Sequence, residues 1–334
     1  MKNILLAVVI TAIPLYLQAQ TAPIIDVHLH SAQAHDQGPP PVAMCVPIEN
    51  FPTVSEGQTV VDSFMHMLKN PPCEDPVWSP ETDEEIMEQT IEVMERLNII
   101  GVLSGPQNIM KQWMERAPDR FIPGYHFRIH SNTPTPEQLR ELHQKGELAV
   151  LGEVVTQYSG ILPNDPQLEP YWALAEELDI PVGIHVGTGP PGTPYLGFPN
   201  YRAAHHSALT IEEVAIKYPN LRIYLMHAGY PMLDDLLAVL YTHPNVYVDV
   251  GVIIFTQPRN AFYRYLQGIV EAGFGKRVMF GSDQMVWPGV IERSVNIILD
   301  APFLSEDQKR DILYNNAAKF LRLSDEEIAK HHGR

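Results

Sequence analysis

The feature that most constrains this chain is an alternation. Eight short apolar runs, at 23–30, 98–103, 120–127, 148–155, 180–186, 221–227, 245–250 and 277–283, are separated by stretches of helical character. Near-continuous apolar strands between amphipathic helices belong to a parallel sheet buried on both faces. Eight such repeats predict an α/β fold closed into a (β/α)8 barrel, a single domain with a long insertion after strand one, rather than an open doubly wound sheet. No Gly-rich dinucleotide fingerprint follows any run, which argues against a Rossmann arrangement. The predicted helices cover 107–116, 136–145, 166–178, 210–218, 232–241, 260–272, 289–299 and 306–321. A further helix opens at Thr82-Asp83-Glu84-Glu85, where Thr82 and Glu85 have the spacing of a capping box. Its apolar positions Ile86, Ile91, Val93, Met94 and Leu97 only roughly follow a 3.6-residue period.

The barrel pattern occupies 23–322. Before it, Met1-Lys2-Asn3, the apolar stretch 4–17 and Ala19-Gln20-Thr21 have the anatomy of a secretory signal peptide over 1–20, so the mature protein is expected to be secreted or periplasmic. The apolar stretch is short for a membrane span, although a retained anchor is the alternative. No later segment has the length of a spanning helix, and no stable membrane association is expected after signal removal. Without 1–20, the chain carries 22 basic against 40 acidic residues, a net charge of −18 that repels phosphate backbones and argues against nucleic-acid binding. Residues 31–80 are Pro- and Gly-rich, lack clear periodicity and read as the insertion, a lid or a subunit contact in a homo-oligomer. Cys45 and Cys73, 28 positions apart within it, are the only cysteines. A disulfide closing that loop and two free thiols are both open, and the pair makes no zinc knuckle. Residues 323–334 read as a polar tail, with His331 and His332 solvated.

Chemistry in a barrel sits at the carboxyl ends of the strands. Strand one ends in His28-Leu29-His30, strand four carries Glu153, strand five His185, strand six His227 and strand eight Asp283. A lone strand-end His is more often a satisfied core residue than a ligand. Five strand ends bearing ligand-type side chains, with two on strand one, are hard to attribute to chance. Side chains two apart on a strand share a face at a spacing of roughly 6.5 Å, and neighbouring strands lie about 4.8 Å apart, so these groups can close on one cation. Imidazole with carboxylate suits Zn2+ best, with other divalent first-row metals as alternatives. His126, near the end of strand three, is a candidate for the substrate pocket. His205 and His206 are candidates for its mouth. His66, His130, His143 and His243 show no usable pattern.

The series "DVHLH … GE … GIHVG … MHAGYP … FGSD" resembles the amidohydrolase superfamily. It is most similar to the amidohydrolase-related branch, with aminocarboxymuconate-semialdehyde decarboxylase, aromatic-acid decarboxylases and lactonases. The closing "LYNNAAKFLRL", 313–323, is similar to that branch's final helix. The resemblance implies metal ligation by His28, His30 and His185, with Asp283 as both ligand and proton-transferring base. His227 would face substrate, or bind a second metal. Glu153 stands where some two-metal members have a bridging carboxylate, so the resemblance implies one or two ions and favours hydrolysis over decarboxylation; the alternative for Glu153 is to orient a ligand histidine.

The expected reaction is attack of metal-activated water on an ester, lactone or amide bond of a small, cyclic or carboxylated substrate. Metal-dependent decarboxylation of a conjugated or aromatic acid is the alternative, and a non-catalytic metal-binding barrel a third reading. The Gly/Pro/aromatic loop 187–202 is expected to shape the pocket, with Arg202 a carboxylate anchor or a solvated residue. Tyr158 and Trp287 are expected to stack on a ring, or to serve packing.

Overall fold

The computed structural model describes residues 22–131 and 133–333. The segment read as a signal peptide lies outside them. The chain is a (β/α)8 barrel with eight parallel staves. These are β1 (Ile24–His30), β4 (Ile99–Ser104), a third stave in two pieces, β5 (Phe121–Pro123) and β6 (Phe127–Arg128), then β7 (Leu151–Val155), β8 (Val182–His185), β9 (Ile223–Met226), β10 (Val246–Asp249) and β11 (Val278–Met279). Hydrogen-bonded order runs β1-β4-β5 and β11-β10-β9-β8-β7-β6. A parallel bridge between Gly124 and Val150 joins the two arcs at the break in the third stave. At the other seam, Val27 N donates to Phe280 O at 3.0 Å and Asp283 N to His28 O at 2.8 Å. The second of these bonds sets the end of the eighth stave beside the two histidines of the first.

The sequence predicted an unbroken third strand over 120–127; the structure interrupts it at 124–126, where the chain turns His126 toward the barrel mouth. The remaining staves fall within or one residue beyond the predicted runs. Helices α2 (Asp83–Leu97), α3 (Gln107–Arg116), α4 (Pro136–Gln144), α5 (Glu169–Glu177), α6 (Glu212–Lys217) and α7 (Leu233–Thr242) follow in order around the outside. Thr82 accepts from Glu85 N while Glu85 caps back, the anticipated capping box.

The barrel floor explains why the polar groups stay at one end. Tyr224 of β9 is buried, and its hydroxyl donates to Val27 O at 3.2 Å. It packs with Ile25, Val27, Val102, Val150 and Met279 into a layer beneath the site. Phe320 of the late helix α12 (Asn316–Leu321) stacks edge-on against its ring at 5.6 Å. Room for Tyr224 depends on glycine in the neighbouring stave, since a Cβ on Gly183 would stand 2.4 Å from its Cζ.

The insertion is structured. β2 (Ala43–Met44) pairs antiparallel with β3 (Val77–Trp78), and α1 (Val60–Lys69) lies between them, capped by Thr59 with Asp62. This helix escaped the sequence reading because its ten residues sit between Pro/Gly-rich flanks. Cys45 and Cys73 are joined in a disulfide, which decides between the two open readings. A closed loop of 28 residues contributes about 3–4 kcal/mol in a chain-entropy account. The expected polar tail is also helical. Ser324 caps α13 (Asp325–His331), and His331 Nδ1 lies 3.0 Å from Tyr314 Oη, so neither His331 nor its neighbour His332, whose ring meets Tyr314 at 5.4 Å, is freely solvated.

Substituting Gly183→Ala is expected to cost about 1–3 kcal/mol, as overpacking of a filled core does. A lowered midpoint in denaturant unfolding at unchanged slope checks this; an unshifted midpoint would mean Tyr224 yields freely.

Candidate metal centre

The mouth of the barrel collects three buried carboxylates and four histidines from the ends of six staves, with two of the histidines on β1. His28 Nε2, His30 Nε2 and Asp283 Oδ1 face one another, at 3.1 Å between the two nitrogens, 3.1 Å from His30 to Asp283 and 3.7 Å from His28 to Asp283. A second group centres on Glu153, whose Oε1 lies 3.8 Å from His185 Nε2 and 3.6 Å from His227 Nε2. Its Oε2 lies 4.0 Å from His30 Nε2, so Glu153 stands between the two groups.

Hydrogen bonding fixes which ring nitrogens remain for a ligand. His28 Nδ1 is 3.0 Å from Asp249 Oδ2, and His227 Nδ1 is 2.9 Å from Gly251 O. Both partners only accept, so each Nδ1 donates, and in the neutral ring each Nε2 keeps a lone pair. His185 Nδ1 meets Gln157 Oε1 at 3.1 Å, and that amide is oriented by its own donation to Gly187 O at 2.9 Å. Burial, helped by the adjacent His227, holds His185 down to about 3, so its ring is neutral. Nitrogen lone pairs therefore point at carboxylate oxygens in a buried space, an arrangement that a cation makes favourable.

The field agrees. Burial opposes charge on His28, but Asp283 and Asp249 overcome it and push the group up to about 10. Burial alone would raise Glu153, yet contact with His126 and the nearby His185 holds it well below the carboxylate range. A proton on His28 is one answer to this excess of negative charge. A cation shared by His28, His30 and Asp283 is the other, and it satisfies all three. A tetrahedral zinc sphere has ligand–ligand edges of roughly 3.3 Å, close to the three separations in that group.

Asp249, at the end of β10, escaped the sequence reading. Its Oδ1 accepts from His227 N at 3.0 Å and Gly251 N at 2.9 Å, while Oδ2 takes His28. One carboxylate thus positions a side chain in the first group and a backbone in the second. The available signal was the acid closing the apolar run "VYVD", the same signal that marked Asp283. Gln157 lies in a turn beyond β7, where sequence offered no cue. Gly281 makes room for the pair, since a Cβ there would lie 2.9 Å from His28 Cβ and 3.1 Å from Asp249 Cγ.

The residues expected to contact substrate separate. His126 Nδ1 lies 3.4 Å from Glu153 Oε2, and Tyr158 stacks edge-on against His185 at 5.1 Å; both line the cavity above the centre. Trp287 forms part of the wall, its indole donating to Val42 O at 3.0 Å, which pins the insertion. His206 lines the cavity and contacts Tyr201 Oη at 2.9 Å, whereas His205 does not border it. Arg202 does not serve as the carboxylate anchor and takes the solvated alternative. It is exposed, outside the cavity lining, and its guanidinium donates to Pro199 O at 2.7 Å and Tyr201 O at 2.8 Å. Arg128 of β6 lines the cavity instead, over the rings of Tyr158 at 5.1 Å and Phe198 at 4.8 Å.

A barrel with these donors at the carboxyl ends of its strands defines a metal-dependent enzyme. The chain belongs to the amidohydrolase family, whose sequence model matches residues 25–323. The gamma-resorcylate decarboxylase of Rhodococcus jostii (strain RHA1) is 24% identical over 271 residues, 69% of this chain and 79% of that relative. Among solved structures, the dihydroxybenzoic acid decarboxylase of Polaromonas sp. JS666, with bound manganese and 2-nitroresorcinol, shares the fold with a TM-score of 0.56 at 15% identity, covering 92% of this chain and 99% of that one. A probable 2-pyrone-4,6-dicarboxylic acid hydrolase of Acinetobacter baumannii, with citric acid bound, has a TM-score of 0.53 at 15% identity over 90% and 99% of the two chains.

Asp249→Ala is expected to weaken divalent-metal affinity about 10- to 100-fold, as loss of an orienting carboxylate does. Competition against a chelator of known affinity measures this; unchanged affinity would remove Asp249 from the centre.

Proposed function

We propose that this protein is a metal-dependent hydrolase that uses an activated water on an ester, lactone or amide bond. The observation that carries the reading is the position of Glu153, a carboxylate between two donor groups, supporting a pair of ions. His28, His30 and Asp283 would hold one ion, His185 and His227 the other, with Glu153 between them. Zinc suits the imidazole and carboxylate donors. When bound, such ions lower the pKa of a coordinated water toward about 7 and polarise a carbonyl.

The chain's own residues supply the rest. Asp283 turns Oδ1 to His28 and His30, leaving Oδ2, 3.9 Å from His227 Nδ1, to take a proton from the attacking water and return it to the leaving group. His126 steadies Glu153 from the cavity side. Tyr158 holds the ring of His185 and, with Tyr201 and Phe198, keeps bulk water from that flank.

Decarboxylation is the second reading, favoured by the named activities of the Rhodococcus and Polaromonas proteins. Product analysis separates the two. Hydrolysis yields an acid and an alcohol or amine in equal amounts, or one hydroxy acid from a lactone, with no gas, whereas carbon dioxide released from an aromatic acid would favour the lyase. We also propose that the mature enzyme works outside the cytoplasm; the apolar N-terminal stretch and the Cys45–Cys73 bond support export.

Asp283→Asn is expected to retain the fold by circular dichroism while turnover falls about 10²- to 10⁴-fold, the usual worth of a positioned general acid–base. Near-normal turnover would eliminate that role.

A further inference from the structure

The cavity above the metal centre has a volume of about 1270 Å³, room for roughly forty waters at about 30 Å³ each. Pockets for drug-sized ligands run to about 300–1,000 Å³, so a single-ring acid leaves most of this chamber unfilled. Its chemistry is uneven. The histidines and carboxylates of the centre form one pole. The insertion contributes an apolar wall of Met44, Ile48, Phe64, Met65 and Met67. That wall reaches the surface at Phe51 and Val61, which stay 39% and 46% exposed.

The wall is firmly built. The disulfide at Cys45 anchors the strand that carries Met44, and the Trp287 indole holds Val42 beside it. Val60, at the start of α1, touches the loop after the fifth stave so closely that a Cβ on Gly192 would stand 2.4 Å from its Cγ1. Helix and loop therefore close one flank of the chamber together. Thioether side chains adapt to ligands of irregular outline, and three of the five wall residues are methionines. Water held against such a surface is displaced favourably by hydrocarbon.

We propose that the substrate carries a long apolar acyl arm, alkyl or fused-ring, that lies along the insertion wall while its carbonyl meets the metal centre. This rests on the hydrolase reading above. In the reaction, the oxygen of water bonds to the acyl carbon and the bond to the leaving oxygen or nitrogen breaks. One water proton goes to the leaving alcohol or amine, and the acyl product ionises with release of the other.

The test uses the metal-loaded full chain and 4-nitrophenyl esters from acetyl to dodecanoyl, with the 2-naphthoyl ester as the fused-ring arm. The expected result is a kcat/KM that rises about two- to fourfold per added methylene over the middle of the series. A naphthoyl ester that outruns acetyl to the same degree supports the proposal and assigns the arm to rings. Phe64→Asp is expected to flatten the slope against chain length, while Phe64→Leu retains it and controls for folding. Turnover that is level or falling with length, with no gain for the naphthoyl ester, overturns the proposal. If no ester, lactone or amide turns over, the hydrolase reading fails, and calorimetry with decanoate and acetate decides the chamber separately. Decanoate at least tenfold tighter than acetate supports the apolar arm; equal binding, or none, overturns it.

Discussion

The bond between the imidazole of His28 and the buried carboxylate of Asp249 is the contact on which the centre depends. It commits His28 Nδ1 to donation, so Nε2 faces His30 and Asp283, where it holds either a proton or a cation. The same carboxylate holds the amide of His227, where the backbone turns into the left-handed region at φ 66°. The carbonyl of Gly251 and the amide of Gln157 repeat the device on His227 and His185. Each of these three rings, when neutral, is thereby poised to give a lone pair from Nε2, and the carboxylates opposite have only lone pairs to give. In a buried space that combination is costly without positive charge, and this cost gives the arrangement its meaning.

The fold makes the convergence a consequence of topology. Parallel staves bring all their carboxyl ends to one face, and the seam bond from Asp283 N to His28 O sets the first and eighth side by side. The layer around Tyr224 fills the barrel below, so polar side chains at the upper ends have no route downward. Above, α1 and the loop after β8 raise the walls of a deep, largely apolar chamber. One end of the molecule thus gathers the metal-ligating side chains, and the insertion walls the chamber above them, as loops commonly do on a barrel.

Much of this was legible in the residues. Eight apolar runs specified the staves because parallel strands are buried on both faces, and strand-end polarity marked His28, His30, Glu153, His185, His227 and Asp283. What escaped has physical reasons. Asp249 carried the same strand-end signal but lay outside the family pattern quoted for the ligands. Gln157 acts from a turn, where no period betrays a side chain's direction. α1 is short, and its flanks are rich in Pro and Gly, so its cap at Thr59 does not stand out in the sequence. Arg202 has the charge and the loop position of an anchor, but its guanidinium is taken by nearby carbonyls, and Arg128, from an interrupted strand, borders the cavity. The disulfide joins residues brought near by a small antiparallel pair that local sequence does not announce.

The most direct measurement is the metal content of the pure protein after loading with zinc and removal of excess ion, by elemental mass spectrometry against protein concentration. Two donor groups that share Glu153 predict two equivalents per chain, with loss of one when Glu153 becomes Gln. A wild-type chain that retains none, or that saturates at one, would contradict the account.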